Sequence, residues 1–210
     1  MKTKNIFRAF LTAIFVLGTM TMNAQTKIYV YKTDGTTDEY NTADIDSISF
    51  AAPAPAVVDY TSLKINEVNG SGADADKYVE LYNTGDVEIN LAGVTLVYNG
   101  TLTWTGKTND KISAAGYKVI KGTKGSGDMS TGLSANNAGV KLEMKAPDGT
   151  LLDTYEKPLE LTAYPELYNT AHERIPDGTG DWYYTPDNVG TPGATNGTST
   201  VGCTKFGEEN

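Results

Sequence analysis

The run Val140-Lys141-Leu142-Glu143-Met144-Lys145-Ala146-Pro147-Asp148-Gly149 carries a strand and its exit in ten residues. Val140, Leu142 and Met144 alternate with Lys141, Glu143 and Lys145, so an extended chain here shows one apolar face and one charged face. Pro147, Asp148 and Gly149 then stand where a type I turn takes them, and Thr150–Tyr155 supplies the returning strand.

The same texture extends outward in both directions. Leu63-Lys64-Ile65 alternates, and so does Lys77–Tyr82, with Val79 and Leu81 on one face before the turn residues Asn83-Thr84-Gly85-Asp86. Val94–Tyr98 is followed by Asn99-Gly100, a two-residue hairpin signal, and by Thr101–Trp104. Tyr117–Ile120 reads as a further strand. No helical period is sustained between 58 and 196. The expected fold is all-β, an immunoglobulin-like antiparallel β-sandwich of seven to nine short strands.

Toward the N-terminus the organisation changes. Residues 25–50 read as a small β-hairpin unit, with Lys27–Lys32 and Thr36–Tyr40 joined through Asp34-Gly35 and Asn41 or Thr42 capping one helical turn. So short a unit falls below the roughly 40 residues that fold unaided. The stretch 51–59 opens Ala51-Ala52-Pro53-Ala54-Pro55-Ala56, whose prolines block sheet pairing and favour an extended spacer. The sandwich is expected over 60–197 and a flexible tail over 198–210.

Ahead of all this, Lys2, Lys4 and Arg8 precede an uncharged apolar run, Ala9–Gly18, and Met22-Asn23-Ala24 offers a small residue for cleavage. That is the pattern of a secretory signal peptide over 1–24, with an apolar run too short for a membrane-spanning helix. The sequence therefore predicts a secreted, periplasmic or cell-surface protein, cut near Ala24, with no transmembrane segment in the mature chain. Loss of three cations takes the Lys+Arg count from 17 to 14 against 26 Asp+Glu, a net charge of −12. Such a chain is repelled by phosphate backbones, which argues against nucleic-acid binding. One Cys (Cys203) leaves no internal disulfide or multi-cysteine metal site, and one His (His172) leaves no His-rich centre.

Several of these stretches resemble the lamin-tail domain family in its bacterial exported form. Ile65-Asn66-Glu67-Val68, Tyr78–Asn83 and Asn90–Leu96 resemble its opening, and Glu173–Trp182 with Thr191–Asn196 its closing motif, over about 60–197. The resemblance implies an immunoglobulin-like sandwich, usually a non-catalytic module, in exported or surface proteins. Turn chemistry accounts for most of the shared residues: Asn83 and Asn90 suit Asx-turns, and Gly85 and Gly93 suit turns or bulges.

Three constellations bear on chemistry. Glu67 shares the strand phase of Leu63 and Ile65, which turns it inward, where Arg174 would be a fitting bidentate partner. Glu67 with Glu80 would make a small hydrolase only if the two carboxyls stood roughly 5–10 Å apart in an open groove. Asp74 and Asp76, in the small-residue loop after Asn69, have the spacing and oxygen chemistry for calcium. Trp182, Tyr183 and Tyr184, with Trp104 and Tyr168, would form either an aromatic platform for sugars or a plug at the sandwich end. The expectation is a non-catalytic, exported binding or structural module needing no cofactor, with a protein or glycan of the cell envelope as partner. A glycan-binding or calcium-assisted adhesive module is the alternative, and the Glu67/Glu80 hydrolase a more distant one.

Overall fold

The computed structural model describes residues 26–48, 58–71, 73, 76–135, 139–186 and 189–209. The expected signal peptide and most of the spacer lie outside them. The chain divides into two compact units, 1–55 and 56–210.

In the first unit, β1 (Lys27–Tyr31) pairs antiparallel with β2 (Thr37–Asn41), Ile28 facing Tyr40 and Val30 facing Asp38. Gly35 turns the hairpin at φ 84°, and Asp34 Oδ1 accepts from the Thr36 amide at 2.9 Å. A single 3-10 turn, Thr42–Asp44, follows; the Asn41 side chain reaches the Asp44 carboxylate at 3.1 Å and caps no backbone amide. None of this unit's described residues is buried.

In chain order the second unit contributes β3 (Leu63–Asn69), β4 (Tyr78–Asn83), β5 (Ile89–Asn90), β6 (Thr95–Tyr98), β7 (Thr101–Thr105), β8 (Lys111–Ile112) and β9 (Tyr117–Lys121). There follow β10 (Lys141–Lys145), β11 (Leu151–Glu156), β12 (His172–Ile175), β13 (Asp181–Tyr184) and β14 (Thr204–Lys205). Two short 3-10 turns, Leu161–Ala163 and Pro165–Leu167, lie between β11 and β12. The strands form a six-stranded sheet, β14-β13-β12-β3-β4-β9, a four-stranded sheet, β11-β10-β6-β7, and a small β5-β8 pair. All pairings are antiparallel.

Alternation decides which side chains meet between the sheets. Leu142 and Met144 point inward with Leu96 and Tyr155, and Ile65, Val79, Leu81 and Ile120 come from the other sheet, all within one apolar cluster. Lys141, Glu143 and Lys145 stay outside, where Glu143 pairs with both lysines at 3.1 and 3.2 Å. The turns follow the sequence chemistry. Asn99 (φ 45°) and Gly100 (φ 80°) join β6 to β7, and the Gly149 amide closes on the Ala146 carbonyl at 2.9 Å. Asn83 and Asn90 each accept from the amide two residues on, at 3.0 and 2.8 Å.

The C-terminal region is more ordered than its composition suggests. Residues 198–210, expected as a flexible tail, contribute β14 at the sheet edge, and the Phe206 ring stacks on Tyr184 at 4.3 Å. Between the sheets, Asp153 of β11 and Arg174 of β12 meet at 3.1 Å. Asp153 also accepts from the Ile65 amide at 2.9 Å, and Arg174 Nε donates to the Ile65 carbonyl at 2.8 Å. One strand of each sheet is thus tied to β3.

Candidate carboxylate site

A bulge between Ile65 and Glu67 resets the side-chain phase of β3. It sends Ile65 and Val68 to the core while Glu67 turns to the other face of the six-stranded sheet. There Glu67 stands opposite Glu80 of β4 on one side and Glu173 of β12 on the other. Three glutamates therefore lie side by side across adjacent strands, and all three are buried. Burial comes from the chain after β13, which folds back over this face.

Hydrogen bonds fasten that return segment. The Thr191 amide donates to Glu67 Oε1 at 3.0 Å, and the Gly193 amide donates to Glu80 Oε2 at 2.5 Å. The Tyr78 hydroxyl sits against Glu67 Oε1 and 2.9 Å from the Val189 carbonyl. Asn66, freed by the bulge, donates to Glu80 at 3.1 Å and to Asp177 at 2.9 Å, and accepts from the Gly178 amide at 2.8 Å. Asp177 collects the Tyr117 hydroxyl at 3.0 Å and the Thr195 hydroxyl at 2.6 Å. The turn after β12, the return segment and the sheet become one polar network.

The electrostatics follow from that enclosure. Burial pushes the Glu67 carboxyl up to about 8; Glu173 and Glu80 push the same way, and the Tyr78 and Thr191 donors oppose them. Burial likewise raises Glu80 to about 7, helped by Asp177 and opposed by the Gly193 amide and Asn66. Tyr78 is held well above the usual phenol range by burial and by the carboxylates beside it. Perturbed carboxyls of this kind suit acid–base chemistry only where a substrate reaches them. Here both are covered and committed to the return segment, so the pair does not face an open groove.

The expected partner of Glu67 is corrected by this geometry. Arg174 lies on the phase of β12 that faces the other sheet and pairs with Asp153, whereas Glu173, one residue earlier, faces Glu67. Tyr78, Thr191 and Glu173 take the roles that sequence reading missed. Tyr78 was legible in principle, since it shares the strand phase of Glu80; Thr191 lies too far along the chain for any spacing argument.

Strand alternation also separates the three aromatic candidates. Trp182 and Tyr184 point to one face of β13 and Tyr183 to the other. Trp182 packs edge-on to Tyr155 at 5.0 Å, under the Arg174 guanidinium at 4.9 Å, and Tyr184 is fully buried. Trp104 belongs to the core. Between Tyr155 and Tyr184 lies His172, fully buried, its Nδ1 2.6 Å from the Tyr155 hydroxyl. Burial, with Lys157 nearby, lowers its pKa to about 3 and keeps the imidazole neutral. Lys157 is itself buried, donates to the Leu159 carbonyl and is lowered to about 8 by burial.

Of the calcium candidates, Asp76 is exposed and Asp74 lies outside the described residues. Among the described residues no group of three or more His, Cys, Asp or Glu is placed to hold a metal. No described helix is long and apolar enough to cross a membrane. A cleft of about 460 Å³ opens beside Val58, Ser62, Gly85, Val87 and Ile89, away from every residue named above as a candidate.

Comparison with curated proteins and with solved structures gave no match. Residues 56–158 match the family model described as Lamin Tail Domain, a match that ends before β12 and the closing motif. This stretch of the chain is thus similar to a family of non-catalytic, immunoglobulin-like domains, in agreement with the all-β sandwich.

Proposed function

We propose that this protein is an exported, non-catalytic binding or structural module of the cell envelope, released from a signal peptide near Ala24, with a protein or glycan as its partner. The observation that carries the non-catalytic reading is the burial of Glu67, Glu80 and His172, the groups best suited to acid–base work, in bonds that fasten the fold. The family similarity supports the same reading, and the N-terminal sequence pattern supports export.

The test is a thermal-shift screen of the protein against soluble glycans, calcium and chelator, with product analysis on each glycan. A reproducible rise in Tm with one ligand class and no glycan cleavage is expected. Cleavage that Glu80→Gln abolishes without unfolding the protein would overturn the non-catalytic reading. N-terminal sequencing of secreted material should begin near Gln25; a start at Met1 contradicts export by signal cleavage.

A further inference from the structure

Thr191 has a single hydroxyl proton and two oxygens to satisfy. Its Oγ lies 2.6 Å from Asn196 Oδ1 and 3.2 Å from Glu67 Oε2. The Asn196 amide is oriented by its other end, whose nitrogen donates to the Arg174 carbonyl at 3.0 Å, so its oxygen is left to accept from Thr191. With the Thr191 proton given to Asn196, the contact to Glu67 Oε2 is a hydrogen bond only if Glu67 carries the proton. The Thr191 amide donates to Glu67 Oε1 at 3.0 Å and reaches Oε2 at 3.3 Å, and the Tyr78 hydroxyl, 2.9 Å from the Val189 carbonyl, sits against Oε1; neither takes the place of a donor between Oε2 and Thr191 Oγ.

The surroundings favour the same protonation. Tyr78 and Glu80 face Glu67 from β4, Glu173 faces it from β12, and Asp177 adds a further carboxylate through Asn66. On β9 the neighbouring groups on this face are Lys121, opposite Tyr78, and Tyr117, bonded to Asp177. On β13 it is Tyr183, opposite Glu173, and on β3 it is Lys64, opposite Tyr82. No cation is ion-paired to Glu67 or Glu80 among the described residues. Glu80 accepts from Asn66 and from the Gly193 amide, and a second charge beside it would be unscreened.

We propose that a proton held between Glu67 Oε2 and Thr191 Oγ latches the segment 189–197 onto the outer face of the six-stranded sheet, and that its loss releases the segment. Deprotonation sets an anionic Oε2 against a Thr191 lone pair and places two carboxylates side by side under the segment. The raised pKa of Glu67 puts this change between neutral and mildly alkaline pH. A release of the segment uncovers Tyr78 and Val119, which with Val189 and Pro192 line a cavity of about 150 Å³ beneath it.

The experiment is hydrogen exchange by mass spectrometry at pH 6 and pH 9, corrected for intrinsic exchange, on the wild type and on Glu67→Gln. Gln places an N–H donor where the Glu67 proton sits and keeps the acceptor for Tyr78 and Thr191. Protection of 189–197 is expected to fall about tenfold or more in the wild type at pH 9, with 141–145 unchanged, and to stay level in E67Q. Equal protection at both pH values in the wild type overturns the proposal, as does an E67Q variant that loses protection like the wild type. Should E67Q fail to fold, the carbon-13 titration of the Glu67 carboxyl in the wild type decides. A midpoint above 6.5 supports the latch, and one in the ordinary range near 4.5 overturns it.

Discussion

Asp153 accepts from the Ile65 amide while Arg174, which it pairs with, donates to the Ile65 carbonyl. Both side chains are mostly buried, at 14% and 16% exposed. Removing the cation therefore strands a carboxylate that water only partly reaches. Arg174→Ala is expected to lower the unfolding free energy by about 1–3 kcal/mol, below the cost for a fully buried pair. Arg174→Lys should restore little of it, since a lysine lacks the fork that serves Asp153 and Ile65 together. Urea unfolding reads both, and an unchanged midpoint for Arg174→Ala contradicts the role given to the pair. The burial of Glu67 was readable, but neither its face nor its partner was: the phase of Leu63 and Ile65 pointed it toward the core, whereas the bulge turns it to the outer face of the six-stranded sheet. The bulge at Asn66 is marked only by the step of three from Ile65 to Val68 where alternation takes two, and neighbouring residues 173 and 174 differ only in which face of β12 they take.

Short elements escaped the sequence for a related reason. β10 was legible because one face is buried and the other more solvated, which writes a period of two into the chain, and β11 because the Pro147–Gly149 turn leads into it. β12 is buried almost throughout, and β13 carries Trp182, Tyr183 and Tyr184 in succession, so His-Glu-Arg-Ile and Asp-Trp-Tyr-Tyr show no such period. β14 has two residues and depends on Phe206, whose ring lies on Tyr184 and edge-on to His172 at 5.4 Å. Phe206→Ala is expected to cost about 1–3 kcal/mol, less than a fully buried phenylalanine, and to unpair β14. A variant with the wild-type midpoint and wild-type exchange at 204–206 contradicts that dependence. Gly190 tests the return segment in the same way. It sits at φ 69°, and a Cβ there would land on the Glu67 carboxyl and the Tyr78 hydroxyl. Gly190→Ala should raise exchange throughout 189–197 while leaving the hairpin of β10 and β11 protected; a segment as protected as in the wild type contradicts the close fit.

The whole molecule's response to pH is the sum of opposed titrations. His172 binds its proton near 6.5 when unfolded and near 3 when folded, so its contribution is lost as pH falls through that window. Asp110, held low chiefly by the Lys118 ammonium, adds to the loss in acid. Glu67 and Glu80 act in the other direction. The unfolded chain releases their protons near 4.5 and the folded chain near 8 and 7, so stability declines as pH rises across that range. An overall net charge of −9 steepens the alkaline decline. Stability is expected to peak near about pH 5, and chemical unfolding at half-unit intervals locates the peak; a maximum at pH 8 contradicts the assignment of these three groups. The sandwich itself was legible at this scale, because turn signals such as Asn99-Gly100 and Pro147-Asp148-Gly149 and the strands they join are local. The buried acid network was not, because it exists only once β3, β4, β12 and the segment after β13 are brought together.

Comparing the unfolding free energy of wild type and Glu67→Gln at pH 8 and at pH 5 addresses the central claim, a protonated Glu67 that fastens the fold. At pH 8 the glutamine variant should be more stable than the wild type by about 1–3 kcal/mol, because it keeps the hydrogen bonds without the need to hold a proton. At pH 5, just above the unfolded carboxyl's pKa, the difference should shrink to below about 1 kcal/mol. A variant that is less stable than the wild type by the same margin at both pH values would show that Glu67 serves as an anion, and would contradict the account.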